Sequence, residues 1–134
     1  TMTVGHNVLV DAGTGNDNVG IGNIEVHNEL FAFLGTGNDN LYAFDAEVDG
    51  NALIDAGSGN DQVYLNDIFV HGRTTIFMGS GNDRLSVFES NGNGGLKAYG
   101  GSGKDTFDND LGITSNGVED DVEIREFELF NDID

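Results

Sequence analysis

Apolar residues occupy every second position in three short segments of each 22-residue unit of this chain. A period of two is typical of a β-strand that buries one face, whereas a helix would place apolar residues three and four apart. The segment before a glycine-rich turn contains Val8 and Val10, Leu30 and Ala32, Ala52 and Ile54, Thr74 and Ile76, or Leu96 and Ala98. The segment after the turn contains Val19 and Ile21, Leu41 and Ala43, Val63 and Leu65, or Leu85 and Val87, and a third contains Met2 and Val4, Ile24 and Val26, Ala46 and Val48, or Ile68 and Val70. The pattern predicts an all-β fold with three short strands per unit.

The glycine-rich turn sets the length of the unit. The motif Gly-x-Gly-(Asn/Lys)-Asp begins at Gly13, Gly35, Gly57, Gly79 and Gly101, so every interval is 22 residues. Insertions are easily accepted in independent loops but disturb a stack, and the constant interval therefore indicates stacked units. The sequence predicts a parallel β-solenoid, a right-handed β-helix or β-roll, with coils at 1–22, 23–44, 45–66, 67–88 and 89–110. Five coils spaced by about 4.8 Å give a rod roughly 24 Å long.

The pattern weakens towards the C-terminus. Ser90 and Gly92 replace the apolar pair of the third strand in unit five, and the chain after Asp110 no longer follows the period. Because an open solenoid end exposes core and strand edges, we expect residues 111–134 to form a C-terminal cap. Since the chain begins with Thr1 and not with Met, we expect it to be a segment of a longer precursor.

The charge of the chain limits its partners. There are 24 acidic and 5 basic residues, which give a net charge of −19. Nucleic acids and anionic membranes repel such a chain, because binding them requires Lys and Arg. No segment approaches the roughly 18 apolar residues that cross a bilayer, so membrane insertion is not expected. Cations are the expected partners, since they would offset the self-repulsion of a compact acidic chain.

The repeated turn combines features that suit a hard cation. Its glycines permit positive φ and close approach of neighbouring coils, the residues between them can turn carbonyl groups inward, and a carboxylate adds a charged oxygen. Ca²⁺ takes about six to eight oxygen ligands in flexible geometry, so two stacked turns could share an ion. Five turns have four gaps, which predicts roughly four sites. The candidate backbone ligands are Gly13, Thr14, Gly15, Gly35, Thr36, Gly37, Gly57, Ser58, Gly59, Gly79, Ser80, Gly81, Gly101, Ser102 and Gly103.

A metal-free turn is the alternative. Stacked asparagines would then form an amide ladder, and the aspartate side chains would cap backbone N–H groups. Carboxylates in register about 5 Å apart repel one another by several kcal/mol in total unless they are neutralised or protonated, which favours the metal. The asparagines in question are Asn16, Asn38, Asn60 and Asn82.

Residues 100–108, Gly-Gly-Ser-Gly-Lys-Asp-Thr-Phe-Asp, resemble the RTX (haemolysin-type) calcium-binding nonapeptide Gly-Gly-x-Gly-x-Asp-x-U-x, in which U is a large apolar residue. The other units match from the second glycine onward, with Val19, Leu41, Val63 and Leu85 at U, but hold Ala12, Leu34, Ala56 and Met78 at the first position. The family repeats every nine residues, so this chain resembles a divergent variant with one motif per coil. The resemblance covers about residues 8–108 and implies a secreted or cell-surface β-solenoid with Ca²⁺ as cofactor. Its implied side-chain ligands are Asp17, Asp39, Asp61, Asp83 and Asp105.

Most aromatic residues fall on the outward parity of the predicted strands. Large exposed aromatic patches mark interfaces, which here could involve another rod, a glycan or the tail; simple cross-strand stacking is the alternative. Some of these positions coincide in units two and four, which indicates a surface super-repeat of 44 residues. The interface candidates are Phe31, Phe33, Tyr42, Phe44, Tyr64, Phe77, Phe88 and Tyr99.

The remaining candidates are weaker. His27 and His71 lie two coils apart and are interpreted as surface histidines, and the acidic runs 45–49 and 119–123 as solvated. The chain has no Cys, no Gly-x-Ser-x-Gly and no phosphate loop. The first hypothesis is therefore a non-enzymatic, secreted calcium-binding module of an adhesin, surface layer or filament, which assembles with other chains and folds on binding Ca²⁺. The alternative is a carbohydrate-binding or accessory module of an extracellular enzyme, and a stand-alone enzyme ranks third.

Overall fold

The computed structural model describes residues 1–110 and 122–130, and this part of the chain is all-β. Within these ranges there is no helix that could span a membrane. The strands are β1 (Met2–Val4), β2 (Val8–Asp11), β3 (Asn18–Val26), β4 (Leu30–Phe33), β5 (Asn40–Val48), β6 (Ala52–Asp55), β7 (Gln62–Val70), β8 (Thr74–Phe77), β9 (Arg84–Phe88), β10 (Asn91–Gly92), β11 (Leu96–Tyr99), β12 (Thr106–Asp110), β13 (Val122–Arg125) and β14 (Glu128–Phe130).

The strands form two parallel sheets that run the length of a solenoid. One sheet has the order β1-β3-β5-β7-β9-β12-β14, with β10 paired to β7, and the other has the order β13-β11-β8-β6-β4-β2. Through the five units, each residue pairs with the residue 22 positions further along; the inward column of the long strands is Val19, Leu41, Val63, Leu85 and Phe107. The predicted parallel β-solenoid of five 22-residue coils is therefore confirmed, while the hand of the coiling stays a prediction.

In β3, β5 and β7, the predicted segment after the turn and the third segment, which opens the next coil, run together as one bent strand. In β3 both Ile21 and Ile24 are buried although they are three residues apart, so the inward parity changes between them. The change falls at Asn23, which has a φ of 52°. Asp45, Asp67 and Glu89 repeat the positive φ at the same place in the following coils. Two of the three predicted segments are thus joined by a bend at a residue with positive φ.

The core is a set of inward columns that are sealed in the middle coils and more open at the N-terminal end. Val8 and Val19 of the first coil are half-buried, because only one coil packs against them. Their partners in the second coil, Leu30 and Leu41, are 3% and 0% exposed. Apolar burial therefore depends on stacking, as expected for repeats that cannot bury a core alone.

The described part of the tail adds a shorter sixth coil. β13 pairs with β11 at an offset of 26 residues, whereas β14 pairs with β12 at an offset of 22, so the sixth turn is four residues shorter. Phe127 comes immediately before the residue paired with Thr106 and so follows Asp105 in register. Phe127 packs against the core, and its ring centroid lies 5.7 Å from that of Phe107. The acidic turn is therefore absent from the sixth coil, and the rest of the predicted cap lies outside the described residues.

Candidate metal site along the turns

Both glycines of the turn are required by the stacking of the coils. Gly35 and Gly37 have φ values of 97° and 132°, a region that residues with a Cβ rarely adopt. A Cβ on Gly35 would lie 1.9 Å from the carbonyl oxygen of Gly13, and one on Gly37 would lie 1.8 Å from that of Gly15. The turns thus stack backbone against backbone, as expected from the motif.

The residue between the glycines joins neighbouring turns through its backbone. Thr36 N–H donates to the Gly13 carbonyl at 3.0 Å, and the Thr36 carbonyl accepts from Gly15 N–H at 2.8 Å. Ser58 and Ser80 continue the same bridge along the rod. Some carbonyls that were predicted to bind metal therefore already accept a hydrogen bond between coils, and a metal would need their second lone pair. Their role as ligands stays a prediction.

The asparagines of the motif form a side-chain ladder on the surface. Asn16 Oδ1 accepts the backbone N–H of Asn38 at 2.8 Å, and Asn38 Oδ1 accepts that of Asn60 at the same distance. Asn82 Oδ1 ends the series by accepting Lys104 N–H at 2.9 Å. The ladder runs from side chain to backbone, whereas a stack of amide groups bonded to one another was the alternative expected from the sequence.

The aspartates form a second ladder in the opposite direction. Asp39 Oδ1 accepts the backbone N–H of Asp17 at 2.8 Å, and Asp61 Oδ1 accepts that of Asp39 at 2.8 Å. Asp83 and Asp105 continue the pattern, so the five side chains form one row, which we name the aspartate column. The N–H capping expected of a metal-free turn is therefore present, and it uses one carboxylate oxygen of each of Asp39, Asp61, Asp83 and Asp105.

The second carboxylate oxygen of the aspartate column has no partner. Asp39, Asp61, Asp83 and Asp105 are only 1–2% exposed, and Asp17 is half-buried. The Oδ2 atoms of all five are buried without a hydrogen bond from any described residue. Buried polar atoms are nearly always paired, and a buried charge without a partner is costly. The column therefore presents one uncompensated oxygen per coil.

The ionisation of the column reflects this burial. Burial raises the pKa of Asp83 from an ordinary value of 3.8 to about 6, and the charges of Asp61 and Asp105 act in the same direction. Burial likewise raises the pKa of Asp61, with the charge of Asp39 adding to it. The hydrogen bonds from the backbone oppose both shifts without cancelling them. A cation beside Oδ2 would act against these causes, since an opposite charge favours the ionised form.

The first position of the motif lies beside the carboxylate. A Cβ on Gly100 would lie 2.9 Å from Asp105 Oδ2. The corresponding Leu34, Ala56 and Met78 are fully buried core residues. By register, the free oxygen of each aspartate therefore borders the core residue that replaces the first glycine of the RTX-like motif. The sequence marked these positions as departures from the motif without placing them at the site.

The column's donors match a hard cation. Carboxylate and carbonyl oxygens are the ligands that Ca²⁺ takes, and neither sulfur nor imidazole is part of the turn. The ladder uses the Oδ1 atoms of Asp39, Asp61, Asp83 and Asp105, so among the described residues the Oδ2 atoms are the ones left to bind a cation. Within the described residues, the five aspartates predicted as ligands are thus brought into one row and share one environment.

A second group of acidic residues, which includes a histidine, lies outside the aspartate column. The sequence analysis did not predict that these residues come together. His71 Nε2 is 2.9 Å from Glu47 Oε1 and 3.7 Å from Asp49 Oδ1, and all three side chains are exposed. Among residues 1–110 and 122–130, no other set of three His, Cys, Asp or Glu side chains offers ligand atoms so close together. His71 is the residue paired with Asp49 one coil away, so the 22-residue register is the signal that finds it. His27 contacts Glu25 instead, at 2.9 Å.

The outward aromatic residues lie on the solvent face, as predicted. Tyr42 and Phe44 are 51% and 44% exposed, and Phe77 is 42% exposed. Several rings contact one another across strands: Tyr42 with Tyr64, Tyr64 with Phe88, and Phe77 with Tyr99, at centroid distances of 5.8, 5.3 and 5.2 Å. Cross-strand stacking is therefore present. The predicted contacts of these residues with a partner, including those of the half-buried Phe31 and Phe33, stay predictions.

Comparisons with protein-family models, with curated protein sequences and with solved structures found no match to this chain. The resemblance to RTX repeats therefore rests on the glycine-rich turn motif alone.

Proposed function

We propose that this protein is a secreted, non-enzymatic structural module whose stacked turns bind Ca²⁺ through the aspartate column. The observation that supports the proposal is the buried Oδ2 atom of each aspartate, which has no hydrogen-bond partner among the described residues. A carboxylate in this position must be neutralised, either by a bound cation or by a proton. Ca²⁺ would supply two positive charges and would accept irregular geometry from carboxylate and carbonyl oxygens.

The charge of the whole chain supports the same function. At a net charge of −19, a compact rod repels itself, and the column places aspartates in register along one edge. Neutralising these charges would favour the stacked state over the unfolded chain, in which the aspartates are apart. Calcium binding would therefore be coupled to folding, because the unfolded chain has no preformed site.

The proposed sites suit an extracellular setting. Sites in extracellular calcium modules commonly have dissociation constants of about 10⁻⁴–10⁻³ M. Sites of this strength fill outside the cell, where calcium is abundant, and stay empty in the cytosol. A chain with such sites would stay unfolded before secretion and become a rod afterwards. Assembly of the rod with other chains, in an adhesin, surface layer or filament, would use the exposed aromatic residues.

Thermal unfolding with and without calcium tests the proposal. Ligand at about 100 times its dissociation constant stabilises the folded state by about 2.7 kcal/mol per site. Roughly four sites would therefore raise the melting temperature by tens of degrees. We expect circular dichroism to record this difference between millimolar calcium and EGTA, or to show no β-structure in EGTA. Magnesium is the control, since it demands stricter geometry. Identical melting curves in calcium, magnesium and EGTA would refute calcium binding.

A further inference from the structure

A groove on the outer face of the long strands has the features of a small-molecule site. It has a volume of about 180 Å³, and its lining includes Tyr64, Phe88, Ser86 and the Arg84–Asp108 ion pair. We name it the outer groove. Its other lining residues are Leu41, Tyr42, Gln62 and Val63. It is separate from the aspartate column, because none of its lining residues belongs to the Gly-x-Gly-(Asn/Lys)-Asp turns.

The outer groove exists because a small residue interrupts an aromatic row. The outward positions in register along the row hold Tyr42, Tyr64, Ser86 and Asp108. A third tyrosine at position 86 would fill the space. The Tyr64 ring instead contacts Phe88, at a centroid distance of 5.3 Å and an angle of 39° between the planes. The two contacting rings therefore form one aromatic side of the groove next to Ser86.

Ser86 adds a hydroxyl group to the groove. The residue as a whole is only 6% exposed, and it belongs to the lining of the groove. A hydroxyl both donates and accepts hydrogen bonds, so the Ser86 hydroxyl could bind a polar group of a ligand in the groove.

The rim of the groove holds planar polar groups in fixed positions. Arg84 Nη2 donates to Asp108 Oδ2 at 2.8 Å, which orients both side chains beside the aromatic side. A guanidinium has five N–H donors and a carboxylate has several acceptor positions, so both retain hydrogen-bonding capacity. Gln62 adds an amide that both donates and accepts. The groove therefore combines aromatic faces with donors and acceptors of both kinds.

We propose that the outer groove binds a pyranose ring of a neutral glycan. The C–H groups on the face of a pyranose ring are attracted to the negative face of an aromatic ring. Its hydroxyl groups both donate and accept, as the rim and Ser86 require. A purely apolar ligand would use none of these donors and acceptors, and an anionic glycan or nucleotide would be repelled by a net charge of −19.

Binding to an array of neutral and uronate oligosaccharides, with the protein folded in calcium, tests the proposal. We expect neutral glycans to bind and uronates not to bind. For the best neutral glycan, titration calorimetry should then show that Tyr64→Ala weakens binding at least about ten-fold, as expected for loss of a stacking face. Ser86→Ala should weaken it about five-fold through loss of one hydrogen bond. Phe77→Ala is the matched control, because Phe77 is equally exposed but lies on the other sheet.

The outcomes separate the proposal from its competitors. Circular dichroism and melting curves establish that each variant is folded before its affinity is compared. A folded protein that binds no neutral glycan, or that binds uronates more tightly, would overturn the proposal. The same holds if Phe77→Ala loses as much affinity as Tyr64→Ala. Self-association in the ultracentrifuge that Tyr64→Ala abolishes would assign the groove to a second copy of the chain instead.

Discussion

At the scale of single residues, the turn offers its own comparison between a neutral and a charged side chain. Asn38 and Asp39 are neighbours, and each uses one oxygen to accept a backbone N–H from an adjacent coil at 2.8 Å. An amide is sufficient for that hydrogen bond, as the asparagine ladder demonstrates. The carboxylate adds a second, buried oxygen and a charge, which the ladder does not use. The charge is therefore the feature of aspartate that needs an explanation outside the ladder.

The pH dependence of the metal-free protein follows from the pKa of Asp83. Its pKa is raised to about 6 in the folded state, so the folded state binds the proton more tightly than the unfolded chain does. The contribution of Asp83 to the free energy of unfolding in EGTA should therefore be greatest below about pH 4, and it should fall as the pH rises to about 6. The loss for Asp83 alone is at most about 3 kcal/mol. Urea unfolding at several pH values measures it, and Asp83→Asn should flatten the profile. A stability that rises across this range would contradict the burial of an unpaired carboxylate.

The fourth bend, at Glu89 where the fifth coil begins, carries a local strain that a substitution should relieve. Glu89 has a φ of 45°, whereas the same position in the earlier coils is held by Asn23, Asp45 and Asp67. Asn and Asp tolerate this conformation because their short side chains bond locally, and Glu does so less well. Glu89→Asn should raise the free energy of unfolding by up to about 1 kcal/mol. Asp67→Asn, at a position that already suits the bend, is the control and should change less. A destabilised Glu89→Asn variant would mean that the bend is not strained.

At the scale of elements, the turn and the bent strand fix the coil. The turn stacks on its neighbour through glycines, the middle residue and two side-chain ladders, while the strands bury alternating apolar residues. The two features are linked, because a turn that stacks backbone against backbone keeps the strands of adjacent coils in register at 22 residues.

Replacing a turn glycine should therefore weaken the whole stack. A Cβ on Gly59 would lie 1.7 Å from the Gly37 carbonyl oxygen, and Gly59 has a φ of 129°. Gly59→Ala should lower the free energy of unfolding by about 2–5 kcal/mol through strain and overpacking. Gly20→Ala is the matched control, because a Cβ there meets no atom within 4 Å, and we expect a change within about 0.5 kcal/mol. Equal effects in chemical denaturation would show that the close stacking of the turns is not what requires glycine.

The strand register and the buried core could be predicted from the sequence, since both follow from its strict periodicity. Alternating residues such as Val63 and Leu65 identify the buried face, and the constant interval identifies their partners. The apolar pattern does show a change of parity between Ile21 and Ile24, but it does not show that the two segments form one continuous strand or that Asn23 has a positive φ. The group formed by Asp49 and His71 was missed for another reason: its members are far apart in sequence and meet only through the register.

At the scale of the whole molecule, the rod has two different ends and one dominant sign of charge. The C-terminal end bears a shorter coil in which Phe127 follows the aspartate column, so the column ends against an aromatic side chain. The N-terminal coil leaves its inward valines half-exposed. Between the ends, the column runs along one edge and the outer groove lies on a neighbouring face. Under the proposed function, the stability of the rod would depend on calcium. Its contacts with partners would depend on its aromatic faces.

The stability of Asp61→Asn, measured in calcium and in EGTA, tests the central claim most directly. The amide of this variant would keep the acceptor for the Asp39 N–H but lose the charge of the buried carboxylate. Calcium binding predicts opposite signs: the variant should be more stable than the unsubstituted protein in EGTA and less stable than it in saturating calcium. Asp49→Asn, at the surface, should change little in either condition. If Asp61→Asn is the more stable protein in both, the column does not bind calcium.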